Sequence, residues 1–187
     1  MSDGGDWWQK QQNDDVATSP ELWRPLADAM GGFDLDPAAG CEPTQIAEDR
    51  YTPADDGLAC PWFGTVWLNP PFSDKTPWFR RLVDQYWNGG VDRAVALSSV
   101  DPSAEWFHEW FSTADLIGYH EDRDLYLGAG DNPTFSTMIG VWNPTDDVRD
   151  VLDRMGTVVE PQHRVVDTRL TDFQPPTAAA SHGANNE

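Results

Sequence analysis

Lysine and cysteine are almost missing from this chain, and positive charge of any kind is scarce. Its 187 residues include two lysines and two cysteines, and 12 basic residues face 32 acidic ones, which gives a formal net charge of −20. Cys41 and Cys60 lack the paired Cys or Cys/His spacing of metal sites, which argues against a disulfide scaffold and a zinc centre. The four histidines share no helical or strand spacing, so we expect no metal site.

Long hydrophobic runs are also lacking. No apolar stretch approaches the roughly 20 residues that span a bilayer, and no positive region followed by an apolar segment opens the chain. We therefore predict a soluble protein of the cytoplasm, or of the host cytoplasm if the chain is viral. Ten tryptophans and an aromatic content of 12% still allow a real core. We expect a flexible segment at 1–16, one domain at 17–170 and a disordered tail at 171–187. No pattern indicates an oligomeric state.

The acidity bears on what the protein can bind. A nucleic-acid partner ordinarily requires clustered Lys and Arg to neutralise phosphates. However, 24 Asp and 8 Glu against 10 Arg and 2 Lys is a composition typical of extremely halophilic organisms. At molar salt the Debye length is about 3 Å, so long-range repulsion between an acidic protein and DNA is screened. An ordinary acidic protein of a mesophile is the alternative interpretation.

The most informative motif is an apolar run, Val66 to Leu68, that ends in Asn69-Pro70-Pro71-Phe72. Two consecutive prolines stiffen the loop and remove two backbone donors. Asn69 Oδ1 and the Pro70 carbonyl can then each accept one hydrogen of an amino group, while Phe72 stacks on the ring that carries it. These groups suit a nucleobase. A plain strand-ending turn with Phe72 in the core is the alternative.

A second motif is Phe33-Asp34-Leu35-Asp36-Pro37, followed by Ala38-Ala39-Gly40. Its apolar and acidic residues alternate, which predicts a short strand with an acid at its carboxyl end, where open α/β sheets bind ligands. Gly40 permits a tight turn, and Thr44–Ala47 is expected to open a helix. An acid at such a turn can bind an amine or ribose hydroxyls, although Asp-Pro also starts ordinary turns.

The chain resembles the phage-type DNA N-6-adenine methyltransferases, or Dam-like proteins, in four motifs that occur in the same order. They are the Thr18-Ser19-Pro20 opening, the Asp36-Pro37 turn, Asp56-Gly57 and the 69–72 loop. The resemblance covers roughly residues 17–145. It implies a Rossmann-like fold and S-adenosylmethionine as methyl donor. This chain has Ala38-Ala39-Gly40 where many relatives carry a Cys, and Phe72 where many carry Tyr.

The resemblance also assigns roles to residues. Catalysis falls to the loop Asn69, Pro70, Pro71 and Phe72, and cofactor binding to Asp34, Asp36, Pro37, Gly40, Asp56 and Ser19. A second cofactor acid is not obvious between Gly40 and Asp55. For the 19–31 region, a plain helix capped by Ser19 or Thr18 explains the residues equally well.

The remaining pattern alternates strands and helices, which predicts an α/β fold with a mixed, mostly parallel sheet and flanking helices. We expect a helix near 20–30, another from Trp78 to Asn88, and a third capped by Ser103. Further strands are expected at 94–99, 116–119, 135–142 and 158–159, with a helix at 146–155.

Double-stranded DNA is the expected partner, and Arg80, Arg81 and Arg123 are candidate contacts to phosphates or bases. Arg123 lies in a glycine-rich loop at 121–133. Pairing with surface carboxylates is the alternative for each arginine. Two other functions remain open: methyl transfer to cytosine, RNA or a protein glutamine, and a catalytically silent DNA-associated viral protein.

The charge imbalance generates a stability prediction. Lowering KCl from about 2 M to about 0.1 M should lower the free energy of unfolding by roughly 2 kcal/mol or more, because carboxylate repulsion is no longer screened. The melting temperature, followed by tryptophan fluorescence, should fall by roughly 4–8 °C. A melting temperature independent of salt would contradict the interpretation of the acidity as an adaptation to salt.

Overall fold

The computed structural model describes residues 17–40, 44–122, 126–127 (backbone only) and 136–162. Within these residues the chain forms nine strands and four α-helices. In chain order they are β1 (Ala17–Thr18), α1 (Pro20–Met30), β2 (Leu35–Asp36), β3 (Asp49–Arg50), β4 (Gly64–Leu68), α2 (Thr76–Trp87), β5 (Val91–Ser99), α3 (Glu105–Glu109), β6 (Leu116–His120), β7 (Tyr126–Leu127), β8 (Thr137–Trp142), α4 (Asp146–Met155) and β9 (Gly156–Val159). A single 3-10 turn, Phe111–Thr113, follows α3.

Seven of the described strands form one mixed sheet in the order β3-β2-β4-β5-β8-β6-β9. The ladders among β3, β2, β4 and β5 are parallel. Those joining β5 to β8, β8 to β6 and β6 to β9 are antiparallel. The α/β class with a mixed sheet is confirmed, but the sheet is not mostly parallel. β8 lies between β5 and β6 and runs opposite to both, and β9 runs opposite to β6 at the edge, so this half of the sheet is antiparallel.

Helices cover both faces of this sheet, and the side-chain alternation of the strands explains why. In β4, Val66 and Leu68 pack into a cluster with α2 and α3, whereas Trp67 between them packs against α1 and α4. In β5, the alanines at 94 and 96 face the first cluster, and Val95 and Leu97 face the second. Successive side chains of a strand point to opposite faces, so a continuously apolar strand belongs in the middle of three layers.

Four of the five helices expected from the sequence are present, and both ends of α1 follow known capping rules. Ser19 caps α1 by accepting a hydrogen bond from the Glu21 N–H (3.3 Å). Gly31 ends the helix in the left-handed conformation, with φ of 82°, which glycine adopts without strain. Strands β4, β5, β6, β8 and β9 lie where we predicted strands, within a few residues at each end.

Two local predictions are wrong. Thr44–Ala47 does not open a helix but runs irregularly into β3, because Glu48 N–H bonds to the Phe33 carbonyl (3.0 Å) alongside β2. Ser103 does not cap α3, whose N-cap is Ala104. The Ser103 hydroxyl instead donates to Asp101 Oδ1 (2.7 Å) in the preceding turn.

Several predictions concern residues outside the described ranges. They are the segments 1–16 and 171–187, Cys41, Arg123, and most of the loop at 121–133. Beyond Asp122, only the backbone of Tyr126–Leu127 is described in that loop, and it pairs antiparallel with Ala17–Thr18. The pairing brings a segment that follows β6 back to the start of the domain.

Candidate active site

The two motifs singled out from the sequence end neighbouring parallel strands. Asp36 is the last residue of β2, and Asn69 follows β4 directly. From β2 the chain continues to β3 on one side, and from β4 it continues to β5 on the other side. Such a reversal at the carboxyl ends of adjacent parallel strands opens a crevice, the usual place for a ligand in an open α/β sheet. The topology therefore places Asp36 and Asn69 on either side of one crevice.

Asn69 is held by a residue that the sequence analysis did not assign to catalysis. Its Nδ2 donates to Thr18 Oγ1 at 3.1 Å, across 51 residues of chain. Thr18 is buried, with 4% of its surface exposed, and its backbone is paired with Tyr126. Because the amide nitrogen is engaged with Thr18, the side chain presents its oxygen as the acceptor. None of the described residues donates to that oxygen.

The two prolines after Asn69 have different surroundings. Pro70 is buried, and the Pro71 carbonyl accepts from the Asp74 N–H (3.2 Å) to close a turn. Among the described residues, no donor is bonded to the Pro70 carbonyl. The loop therefore offers two acceptors, Asn69 Oδ1 and the Pro70 oxygen, with the half-buried ring of Phe72 two residues further on. This arrangement matches what recognition of an aromatic amine requires.

Asp36 is nearly buried, with 9% of its surface exposed. Burial raises the pKa of its carboxyl to about 7, although the Ala38 N–H, bonded to Oδ1 at 3.1 Å, and the charge of Arg50 both lower it. Within the described part of the chain, no residue donates to Oδ2. A carboxylate in that position gains most from a ligand that donates hydrogen bonds, such as a hydroxyl or an ammonium group. Its chemistry fits the ribose or amine of a methyl donor.

The 56–57 turn lies against the Asp36-Pro37 turn. A Cβ on Gly57 would come 2.0 Å from the Pro37 carbonyl oxygen, so only glycine allows this approach. Asp56, with a left-handed φ of 53°, is exposed beside it. Trp62 braces the turn by donating from Nε1 to the Gly57 carbonyl (2.8 Å). The structure therefore brings Asp36, Pro37 and Asp56 together, as expected from their assignment to one ligand.

Other residues assigned to the cofactor are used elsewhere. The Asp34 carboxylate accepts from the Thr65 N–H (2.6 Å) at the opposite end of the strands and fills the space beside Gly64, whose φ is 63°. Ser19 has its hydroxyl occupied by the cap of α1. Gly40 is exposed, beyond the Asp36-Pro37 turn. Asp34 therefore braces β4, and Ser19 stabilises a helix next to Thr18.

The arginines on α2 differ from each other. Arg80 is exposed and lies 3.8 Å from Asp84 one turn along the helix, a weak surface pair. Arg81 is half-buried, and its Nη2 donates to the Cys60 carbonyl (2.9 Å). Arg81 therefore ties the 55–62 loop to α2, which does not suit a DNA ligand, whereas Arg80 remains available.

Other kinds of site are not evident in the described ranges. They contain no group of three or more His, Cys, Asp or Glu side chains able to hold a metal ion. None of their helices is long and apolar enough to cross a membrane. A depression between α1 and α4 is lined by Asp28, Asp147 and Asp150, near the carboxyl-terminal half of α1 and away from the crevice. It has no group that the chemistry above requires.

Comparison with known proteins decides the family. The family model described as DNA N-6-adenine-methyltransferase (Dam) matches residues 7–136. The match covers well over half of the chain and includes Thr18, Asp36 and the loop from Asn69 to Phe72. The chain belongs to this family.

One curated relative is the DNA N-6-adenine-methyltransferase of Haemophilus phage HP1 (strain HP1c1). It is 34% identical over 90 residues, which is 46% of this chain and 50% of the relative. The chain thus spans about half the length of the curated relative it matches. No solved structure matches this chain.

Two contacts of the 69–72 loop in this Dam-family chain are not evident from the sequence. One is the hydrogen bond from Asn69 to Thr18, and the other is the approach of the Lys75 ammonium to the Phe72 ring (5.6 Å to its centroid). A threonine ahead of a helix predicts an N-cap, so the sequence pattern of Thr18 does not indicate its bond to Asn69. Its position inside the opening motif, beside the Ser19 that does cap, was the available signal. Lys75 is one of two lysines in the chain and follows Phe72 by three residues. The rarity of lysine in the chain was the available signal for Lys75.

The pKa of Asp36 generates a prediction for the free protein. An unfolded Asp has a pKa of 3.8 and folded Asp36 one of about 7, so the folded state holds an extra proton between these values. The stabilising contribution of protonated Asp36 is present below pH about 4 and is lost as pH rises through 7. Asp36→Asn should therefore be more stable than the parent at pH 8, by at most about 4 kcal/mol, and similar near pH 4. Urea unfolding across this range measures the difference. A difference that does not change with pH would contradict a buried, protonated Asp36.

Proposed function

We propose that this protein transfers the methyl group of S-adenosylmethionine to the exocyclic N6 amine of adenine in double-stranded DNA. The observation that carries the proposal is the hydrogen bond of the Asn69 amide to Thr18 (3.1 Å), which holds Asn69 at the edge of the crevice. Asp36, at the end of the neighbouring strand β2, lies on the other side of that crevice. Membership of the Dam family and the name of the phage relative support the same substrate. The α/β order around this crevice supports a Rossmann-like arrangement of the parallel half of the sheet.

The reacting nitrogen needs orientation more than it needs a base. S-adenosylmethionine supplies a methyl group on a positively charged sulfur. Asn69 Oδ1 and the Pro70 carbonyl accept the two amine hydrogens, which draws the nitrogen lone pair out of conjugation with the ring and directs it outward. As the new N–C bond forms, the electron pair of the broken S–C bond stays on sulfur, and the surplus proton then leaves the nitrogen for water. Positioning of this kind can supply roughly 7–11 kcal/mol.

The target base has to leave the duplex before it can reach these acceptors. Unstacking and unpairing cost a few kcal/mol. Stacking on an aromatic ring recovers roughly 1–3 kcal/mol, and Phe72 lies in the loop that presents the acceptors. We assign Phe72 as the ring that receives the extruded adenine, and Pro71 as the residue that keeps the loop closed through Asp74.

The methyl donor is assigned to the other wall of the crevice. Asp36 offers a buried carboxylate oxygen to hydroxyl or amino donors, and Pro37 and Asp56 form the adjoining turns. Gly40 continues the first turn, and its exposed backbone is compatible with close approach of a ligand. Asp34 and Ser19 act indirectly, by bracing β4 and α1.

Binding of DNA by so acidic a protein requires high ionic strength. We infer that the protein works in concentrated salt, where the long-range repulsion from its net charge of −20 is screened. Counterion release contributes little under those conditions, so binding depends on stacking, base contacts and a few local cations. Arg80 is the exposed candidate on α2, and Arg123 is a further candidate outside the described residues.

Removing the Asn69 amide tests the proposal. Asn69→Ala should lower turnover by roughly 10²–10³-fold, as loss of one positioned polar group does in other active sites. Incorporation of a radiolabelled methyl group into unmethylated double-stranded DNA in about 1 M KCl measures turnover, and calorimetry measures affinity for S-adenosylmethionine, which should change less than twofold. Asn88→Ala, at the exposed far end of α2, is the matched control. Equal loss of cofactor affinity and turnover would indicate that Asn69 serves folding instead.

Thr18 is expected to be a positioning residue for the same amide. Thr18→Val keeps the shape of the side chain but removes the hydroxyl. The kcat should therefore fall roughly tenfold, which corresponds to the net free energy of about one hydrogen bond. The KM for DNA and the affinity for S-adenosylmethionine should change little. Thr18→Ser, which retains the hydroxyl, should recover most of kcat. If the Ser variant is as impaired as the Val variant, the hydroxyl is not what orients Asn69.

A further inference from the structure

Lys75 occupies an unusual position for a cation in this protein. Its Nζ donates to Ser99 Oγ at 2.6 Å, where β5 ends beside β4. The same nitrogen lies 4.5 Å from the centroid of the Trp106 ring and 5.6 Å from that of Phe72. Both distances are within the range at which an ammonium is attracted to an aromatic face. The charge is therefore placed between the rings of α3 and of the loop that follows Asn69.

Burial of this ammonium has a cost that its surroundings offset only in part. Lys75 is half-buried, and burial lowers the pKa of its amine, while the charge of Asp101 raises it. Within the described part of the chain, no carboxylate oxygen forms an ion pair with Nζ. A buried charge normally persists only where other groups stabilise it. Here those groups are one hydroxyl, two aromatic faces and the charge of Asp101.

Trp106 connects this cation to the rigid part of the molecule. Only 9% of Trp106 is exposed, and its ring packs against Phe79 (5.3 Å between centroids) and Phe111 (5.9 Å). Phe72, in contrast, is half-buried in a loop. A phenyl ring has no polar atom through which a hydrogen bond can fix its tilt, so contacts with its face and edge determine its orientation. Lys75 contacts that face and is itself anchored on β5 and α3.

We propose that Lys75 is a positioning residue for the target base: anchored on Ser99 and Trp106, its ammonium holds the Phe72 ring in the orientation on which an extruded adenine stacks. This inference rests on the proposed function, because it takes Phe72 as the stacking ring. The contact acts on the reaction through Phe72, so Lys75 does not touch the reacting atoms. Its effect belongs to the step in which the base is held against Asn69.

The test compares three variants of the full chain on unmethylated double-stranded DNA with S-adenosylmethionine in about 1 M KCl. Lys75→Met keeps the aliphatic stem and removes the charge, and Lys75→Arg keeps the charge. Arg149→Met, on the exposed side of α4, removes one positive charge far from the crevice and is the matched control. The readouts are kcat, the KM for DNA at several salt concentrations, and calorimetric affinity for S-adenosylmethionine.

Lys75→Met should lower kcat roughly tenfold, equivalent to about 1.4 kcal/mol, with cofactor affinity and the KM for DNA within about twofold of the parent. Lys75→Arg should restore kcat at least in part, since a guanidinium also stacks on aromatic faces. Arg149→Met should match the parent.

Three results would overturn the inference. An unchanged kcat in Lys75→Met would show that the ring does not depend on the cation. A higher KM for DNA with a salt slope smaller by about one would show that Lys75 binds a phosphate instead. Loss of cofactor affinity together with kcat would indicate a role in folding. A parent protein that transfers no methyl group to DNA, in the same assay, would instead count against the proposed function.

Discussion

The hydrogen bond between the Asn69 amide and the Thr18 hydroxyl joins the segment before α1 to the end of β4. Without it, the side chain that we propose presents an acceptor to the substrate would lose the partner that orients it at the edge of the crevice. Thr18 in turn is fixed by two neighbours: β7 pairs with its backbone, and Ser19 begins α1 directly after it. α1 packs through Leu22, Leu26 and Met30 on the same face of the sheet as Trp67 of β4. The orientation of one amide therefore depends on packing across the whole α1 side of the sheet.

The position of the site, in contrast with its detailed geometry, could be predicted from the sequence. Asn69 and Asp36 each follow an apolar or alternating strand, and parallel strands bring such residues to one edge. The pairing of Asn69 with Thr18 could not be predicted, because the two are 51 residues apart and a threonine before a helix normally signals a cap. Asp34 was grouped with Asp36 by adjacency. The two acids are two residues apart and therefore share a face, but Asp34 lies roughly 6–7 Å further back along the strand, where it bonds to the Thr65 N–H near the start of β4.

The remaining errors have the same physical origin. β3 is two residues long, and it exists because its backbone pairs with β2, not because its residues favour a strand. Arg81 was treated as a surface cation, yet its guanidinium bonds to the Cys60 carbonyl under a loop that the sequence does not place near α2. The rarity of lysine draws attention to Lys75 but does not indicate its contacts. Its surroundings depend on Trp106 and Ser99, which come from two other elements.

Most of the acidic side chains and the groups that we propose for catalysis lie in different parts of the molecule. Most of the acidic side chains in the described ranges are exposed, which agrees with the proposed adaptation to concentrated salt. The groups around the crevice, in contrast, are largely uncharged: an amide, a hydroxyl, a proline carbonyl and aromatic rings. Neutral hydrogen bonds and stacking are little affected by salt screening, so recognition of a base by these groups tolerates ionic strengths that weaken phosphate contacts. Asp36, Asp56 and Lys75 are the ionisable exceptions. Asp36 is nearly buried and Lys75 is half-buried, whereas Asp56 is exposed.

The chemical identity of the methylated product tests the central claim most directly. The protein would be incubated with unmethylated double-stranded DNA and S-adenosylmethionine carrying an isotopically labelled methyl group, in about 1 M KCl, and the digested nucleosides analysed by mass spectrometry. We expect the label in N6-methyladenine. Label found only in N4-methylcytosine, or no labelled base despite measurable binding of the methyl donor, would contradict the assignment of an adenine amine to the acceptors Asn69 and Pro70.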